Sequence, residues 1–180
     1  MASPVRPMTR GEVEMARLLF RDAVDYERVR IYGRGFLWFG LQHPHVAISP
    51  NGNIYFTAAR FREDFSRSTD KDMHWFIHEM VHVWQHQLGY PVLMRGALRL
   101  FLRYDYVLEE GKRLCDYDME AQGELLADYF ALRYLGNREV MRRSREYGAD
   151  LSRFERVLAG FLENPGAKVH LPRSLFWRAA

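Results

Sequence analysis

Residues 69–91 read TDKDMHWFIHEMVHVWQHQLGYP, and within them His78-Glu79-Met80-Val81-His82 is an HExxH sequence set in an apolar, helix-compatible run. Residues four apart on an α-helix lie one above the other on the same face, so His78 and His82 can direct ring nitrogens at one metal ion. Glu79 lies beside them, where its carboxylate can take a proton from a water at the metal as general base and pass it to a leaving amine. Five residues can match by accident, and the surroundings must decide. Thr69 with Asp72 has the spacing of an amino-terminal cap, and Gly89 then Pro91 stop the run. That predicts a helix of about five turns. Trp75, Ile77, Met80, Val81 and Trp84 spread an apolar surface around it, so the helix is expected to be buried on most sides. The alternative, two core histidines satisfied by backbone carbonyls, leaves Glu79 buried without a reason.

A catalytic zinc site takes three protein ligands plus water, so a third ligand must come from elsewhere. His86 continues the four-residue spacing but lies about 12 Å from His78 along a straight helix, too far to share an ion. Val83-Trp84-Gln85 contains no breaker that would fold the chain back. Downstream, residues 118–131 read DMEAQGELLADYFA and predict a helix that ends at Gly136. Glu120, Glu124 and Asp128 recur every four residues on one face, beside a seam of small residues, Gly123, Ala127 and Ala131. Small side chains let another helix approach closely. A carboxylate stripe beside such a seam needs a positive partner, which a zinc ion on the first helix would supply; the alternative is a solvated acidic face. Either Glu120 or Glu124 can reach the ion. Glu124 has an acid one turn later and lies directly beside Gly123 and Ala127, so Glu124 is the expected third ligand, with Glu120 the alternative.

Glu124-x-x-Ala127-Asp128 resembles the third-ligand helix of the gluzincin metallopeptidases. That resemblance implies that Glu124 binds zinc and that Asp128 orients a ligand histidine by a hydrogen bond. More broadly, the chain is similar to a family of Vgr-related or Rhs-associated zinc metallopeptidases encoded near bacterial secretion systems. The similarity runs through residues 6–12, 22–31, 78–87, 103–106 and 119–130, and the HExxHVWQHQ block is its specific part. It implies a peptidase-like zinc site and an edge strand that holds an extended peptide by backbone hydrogen bonds.

At 180 residues, 48% of them hydrophobic, the chain is expected to form a single zincin-like metallopeptidase domain over residues 1–180. The expected fold class is α+β: mainly helical, with a small, mostly antiparallel sheet and the HExxH helix packed on the glutamate-bearing helix. Thr9 and Glu12 form a capping box for a first helix to about Phe20. Val29-Arg30-Ile31 begins extended structure, and residues 45–48 and 53–56 flank a hairpin signal at Pro50-Asn51-Gly52. Cys115 is the only cysteine, which excludes an internal disulfide and a cysteine-based zinc site. No signal-peptide core and no span long enough to cross a membrane are visible, so synthesis in the cytoplasm is expected, with any export through a specialised secretion machine.

Arg95, Arg99 and Arg103 share one face of a predicted helix after Pro91, and Arg138, Arg142, Arg143 and Arg145 form a second basic run. A net charge of +3 and the lack of a binding motif argue against nucleic acid, and both runs read as solvated surface. Tyr104 and Tyr106 lie between the two metal helices in sequence and are candidate donors to a transition-state oxyanion, or else core aromatics. The reading is a zinc-dependent hydrolase, a metallopeptidase that cleaves an amide bond in a peptide or peptidoglycan-type substrate with Glu79 as base. The alternatives are a secreted cell-wall-peptide hydrolase or toxin, a secretion-system remodelling factor, and a non-catalytic zinc-containing interaction module. An immunity protein or secretion-system protein would be the partner in the secreted cases.

Overall fold

The computed structural model describes residues 4–36, 47–97, 105–148 and 150–173. It is an α+β structure, mostly helical, with one three-stranded sheet. Strands β1 (Val5–Pro7), β2 (Arg30–Tyr32) and β3 (Ile54–Tyr55) lie in the order β1-β2-β3. β1 pairs with β2 antiparallel, Arg6 opposite Ile31, whereas β2 pairs with β3 in parallel, Ile31 opposite Ile54. The sheet is therefore mixed, not mostly antiparallel. The connection from Tyr32 to Ile54 is long enough for the crossover that a parallel pair requires. The predicted hairpin survives as one antiparallel bridge, Ile48 to Tyr55, around a turn in which Gly52 takes a positive φ of 79°. His45 and Val46 lie outside the described residues.

Helix α1 (Arg10–Phe20) starts at the predicted capping box: the Thr9 hydroxyl accepts from the Glu12 N–H and the Glu12 carboxylate accepts from the Thr9 N–H. Glu12 is fully buried, and Arg6 of β1 satisfies it with two hydrogen bonds of 2.7 and 2.8 Å, tying the sheet to the helix. Helix α2 (Asp70–Gln87) is the HExxH helix, and its Thr69 cap accepts from the Asp72 N–H at 3.2 Å. Every residue from Phe76 to Gln85 is buried. A short helix α3 (Val92–Ala97) follows Pro91; Arg99 and Arg103 lie outside the described residues.

Helix α4 (Met119–Phe130) is capped by Asp118, loosens into a π turn over Ala131–Leu135 and stops at Gly136, whose φ of 64° closes the helix in the left-handed conformation. The short α5 (Ser144–Tyr147) and the amphipathic α6 (Leu151–Glu163) complete the order. Phe20 of α1, Trp84 of α2 and Phe161 of α6 meet edge to face or tilted, and the Trp84 indole N–H donates to the Pro165 carbonyl at 2.8 Å. That aromatic cluster holds α2 in the core, so the face bearing His78 and His82 is set by packing on its opposite side.

Candidate metal centre

Helices α2 and α4 run antiparallel with two stripes face to face: His82 meets Glu120, His78 lies between Glu120 and Glu124, and His74 meets Asp128. Close approach depends on the small seam. Ala127 and Ala131 are fully buried, and a Cβ at Gly123 would stand 2.7 Å from the His78 ring carbon Cε1. The glycine is thus required by the proximity of the imidazole, as the spacing of small residues predicts.

Three ligand atoms converge. His78 Nε2 and His82 Nε2 are 3.1 Å apart, and Glu120 Oε2 lies 3.2 Å from the first and 3.3 Å from the second. These are the three sides of a nearly equilateral triangle. A tetrahedral ion with metal–ligand distances of about 2.05 Å has ligand–ligand edges of about 3.3 Å, which matches. His78, His82 and Glu120 are all buried, and among the described residues they form one of two histidine–carboxylate groups able to hold a metal ion.

The carboxylate that reaches this triangle is Glu120, the alternative in the sequence reading, and Glu124 lies one turn away. Its Oε1 is 3.5 Å from Nδ1 of His78, the ring nitrogen turned from the triangle. Glu124 is therefore placed to orient His78 and fix which nitrogen carries the proton. Asp128, expected to orient a ligand histidine, instead holds His74 at 2.7 Å, a residue the sequence reading passed over although it continues the four-residue spacing upstream. Fully buried Asp128 accepts three more hydrogen bonds, from the Tyr106 hydroxyl at 2.6 Å and from the Arg142 and Arg143 backbone N–H groups at 3.0 and 3.3 Å. With four donors in place it is a structural hub, and it belongs to the second histidine–carboxylate group, His74, Glu124 and Asp128. Tyr106 is committed to Asp128 and buried, so it is not positioned as an oxyanion donor; Tyr104 lies outside the described residues.

Glu79 is buried beside the triangle and accepts a 2.7 Å hydrogen bond from the hydroxyl of Ser49. Ser49 follows the Ile48 bridge, so the turn of the sheet supplies the partner. No sequence signal marked Ser49 beyond its place next to the hairpin. His86 lies away from the triangle, and a Cβ at Gly52 of the same turn would come within 2.8 Å of its Cδ2, which puts His86 at the sheet side of the helix end.

The electrostatics express the same convergence. Burial alone would lower the His78 imidazole, yet the hydrogen bond to Glu120 and the charges of Glu124, Glu120 and Glu79 outweigh it and push it up to about 9. Burial likewise opposes charge on His82, and Glu120 raises it overall. Glu120 would be raised by burial, but His82 and His78 hold it well below the usual carboxylate range. Without a bound cation, protons on the imidazoles supply the positive charge that the carboxylates demand. Two arginines of the run form local ion pairs: Arg142 with Asp105 at 3.1 Å and Arg143 with Glu146.

This is an α+β domain built around a histidine–carboxylate triangle between two antiparallel helices. No family model matches the sequence. The chain is 41% identical over 133 residues to the type VI secretion system spike protein VgrG2b of Pseudomonas aeruginosa, a match that covers 69% of this chain and 13% of that protein. The structure superposes on the effector domain of Pseudomonas aeruginosa VgrG2b with a TM-score of 0.69 and 34% identity, over 87% of this chain and 83% of that chain. The chain belongs to the VgrG2b effector-domain family. It spans only 13% of the length of the full spike protein.

Proposed function

We propose that this domain is a zinc-dependent amide hydrolase that acts as a type VI secretion effector, with peptides of the bacterial cell wall as its substrate class. The observation that carries the hydrolase reading is the triangle of His78 Nε2, His82 Nε2 and Glu120 Oε2, with sides of 3.1, 3.2 and 3.3 Å, next to a buried Glu79 that no structural ion would need. Kinship with the VgrG2b effector domain supports the secreted role, and cell-wall peptides are the substrate class that belongs to the secreted reading. The zincin-like architecture is part of the same reading, supported by the HExxH helix packed against a ligand-bearing helix beside a small sheet.

His78, His82 and Glu120 would hold the zinc. Bound there, zinc supplies Lewis acidity to a carbonyl and lowers the pKa of water. Ser49 holds one oxygen of Glu79, which leaves Oε1 to accept a proton from the attacking water and deliver it to the departing amine. Glu124 keeps the His78 ring in register, and the buried surroundings limit competing solvent.

The test is digestion of purified peptidoglycan, with casein in parallel, followed by detection of newly released amines. Wild type should release amines from peptidoglycan, and Glu79→Gln should retain zinc while losing about 10²–10⁴-fold in rate. Equal rates for wild type and Glu79→Gln would overturn the role of Glu79. Cleavage of casein alone would overturn the cell-wall assignment and leave the hydrolase.

A further inference from the structure

Behind His82 lies a buried chain of amides that the metal triangle does not use. Gln122 of α4 is fully buried, and its Nε2 sits 2.8 Å from the Leu114 carbonyl and 2.9 Å from the His170 carbonyl. Backbone carbonyls can only accept, so the amide nitrogen must point at them and Gln122 Oε1 must point the other way. That oxygen lies 2.9 Å from Nε2 of Gln85, also fully buried, and the same Gln85 nitrogen lies 3.2 Å from the Met119 carbonyl. Two acceptors fix the orientation of Gln85 in turn. Its Oε1 is thereby left facing Nδ1 of His82 at 2.9 Å, and because Oε1 only accepts, Nδ1 must carry the proton. Nε2 of a neutral His82 then has its lone pair directed at the triangle.

We propose that Gln85, locked by Gln122, is a positioning residue that sets the tautomer and ring orientation of His82 and so presents Nε2 to the metal. The inference rests on the zinc reading above. Three backbone carbonyls, those of Leu114, His170 and Met119, orient the two amides, and the amides orient one imidazole nitrogen. Through the His170 carbonyl it also ties the segment after α6 to the metal helix, because that carbonyl is one of the two anchors of Gln122. A carboxamide here differs from the carboxylate behind His78: Gln85 orients the ring without adding negative charge.

The experiment compares the full chain with Gln85→Leu, Gln122→Leu, the double variant, and Gln87→Ala as a control on the exposed side of the same helix end. Zinc dissociation constants are measured by chelator competition, and the protonated ring nitrogen of His82 is identified by long-range proton–nitrogen correlation in the zinc-loaded protein. Gln85→Leu should bind zinc about 10- to 100-fold more weakly. Gln122→Leu should weaken it less, the double variant no more than Gln85→Leu alone, and Gln87→Ala not at all. In wild type, His82 should show a protonated Nδ1 in slow exchange with solvent, an observation that needs no variant to fold. Zinc bound through Nδ1 of His82, or an unchanged dissociation constant in a folded Gln85→Leu, would overturn the proposal while the site reading stands. A wild type that takes up no zinc would overturn the site reading and this proposal with it.

Discussion

Glu120 and Glu124 differ by one helical turn, and their substitution separates a metal ligand from a residue that orients one. Glu120 Oε2 stands 3.2 and 3.3 Å from the two Nε2 atoms, whereas Glu124 reaches only the Nδ1 side of His78, at 3.5 Å. Apparent zinc affinities of closed four-donor sites are about 10–16 kcal/mol, so one donor is worth about 2.5–4 kcal/mol. At about 1.4 kcal/mol per tenfold, Glu120→Ala should weaken zinc binding by about 10²–10³-fold. Glu124→Ala removes only the partner of Nδ1, and a loss of about 10- to 100-fold is expected. Chelator competition at pH 7.5 gives both constants, and circular dichroism checks that each variant is folded. If Glu124→Ala costs more than Glu120→Ala in folded proteins, the pairing of α2 with α4 described above is wrong by a turn.

The elevated His78 makes the metal-free protein pH-dependent. Its imidazole titrates near 9 in the folded chain, against an ordinary value of 6.5, so its contribution is complete below about 6.5 and is lost as pH rises through about 9. Melting temperatures of chelator-treated protein should fall between those limits, and the drop should be smaller with zinc bound; equal slopes in both states would contradict the assignment. Asp128→Asn replaces an acceptor of four hydrogen bonds with a group that brings its own N–H donors, and a destabilisation of about 1–3 kcal/mol is expected in denaturant titrations. An unchanged midpoint would show that the hub is unnecessary. His86→Ala should leave the zinc constant unchanged, because His86 faces the Gly52 turn; loss of binding would mean that α2 is broken near Trp84.

Local rules decide local structure here. Thr9 with Glu12, Thr69 with Asp72, Asp118, Gly89 and Gly136 announce where helices begin and end, since capping depends only on neighbours in sequence. The HExxH spacing likewise places His78, Glu79 and His82 on one helix without further information, and the run Gly123, Ala127 and Ala131 marks where a second helix approaches. Sliding that second helix by one turn, about 5.4 Å, leaves every such pattern intact. Whether Glu120 or Glu124 meets the imidazoles is therefore absent from the periodicity, and packing decided it: Trp84 locked against Phe20 and Phe161 sets the height of α2, and Asp128, anchored by Tyr106 and the backbone of residues 142 and 143, sets that of α4. Ser49 and Gln122 were out of reach for the same reason, because each acts on a group distant in sequence through one hydrogen bond. The sequence by itself determined the helices and the histidine and carboxylate stripes they carry; only the tertiary structure decided the register between them, because that register is an energy of side chains packed across the two helices and has no local signature.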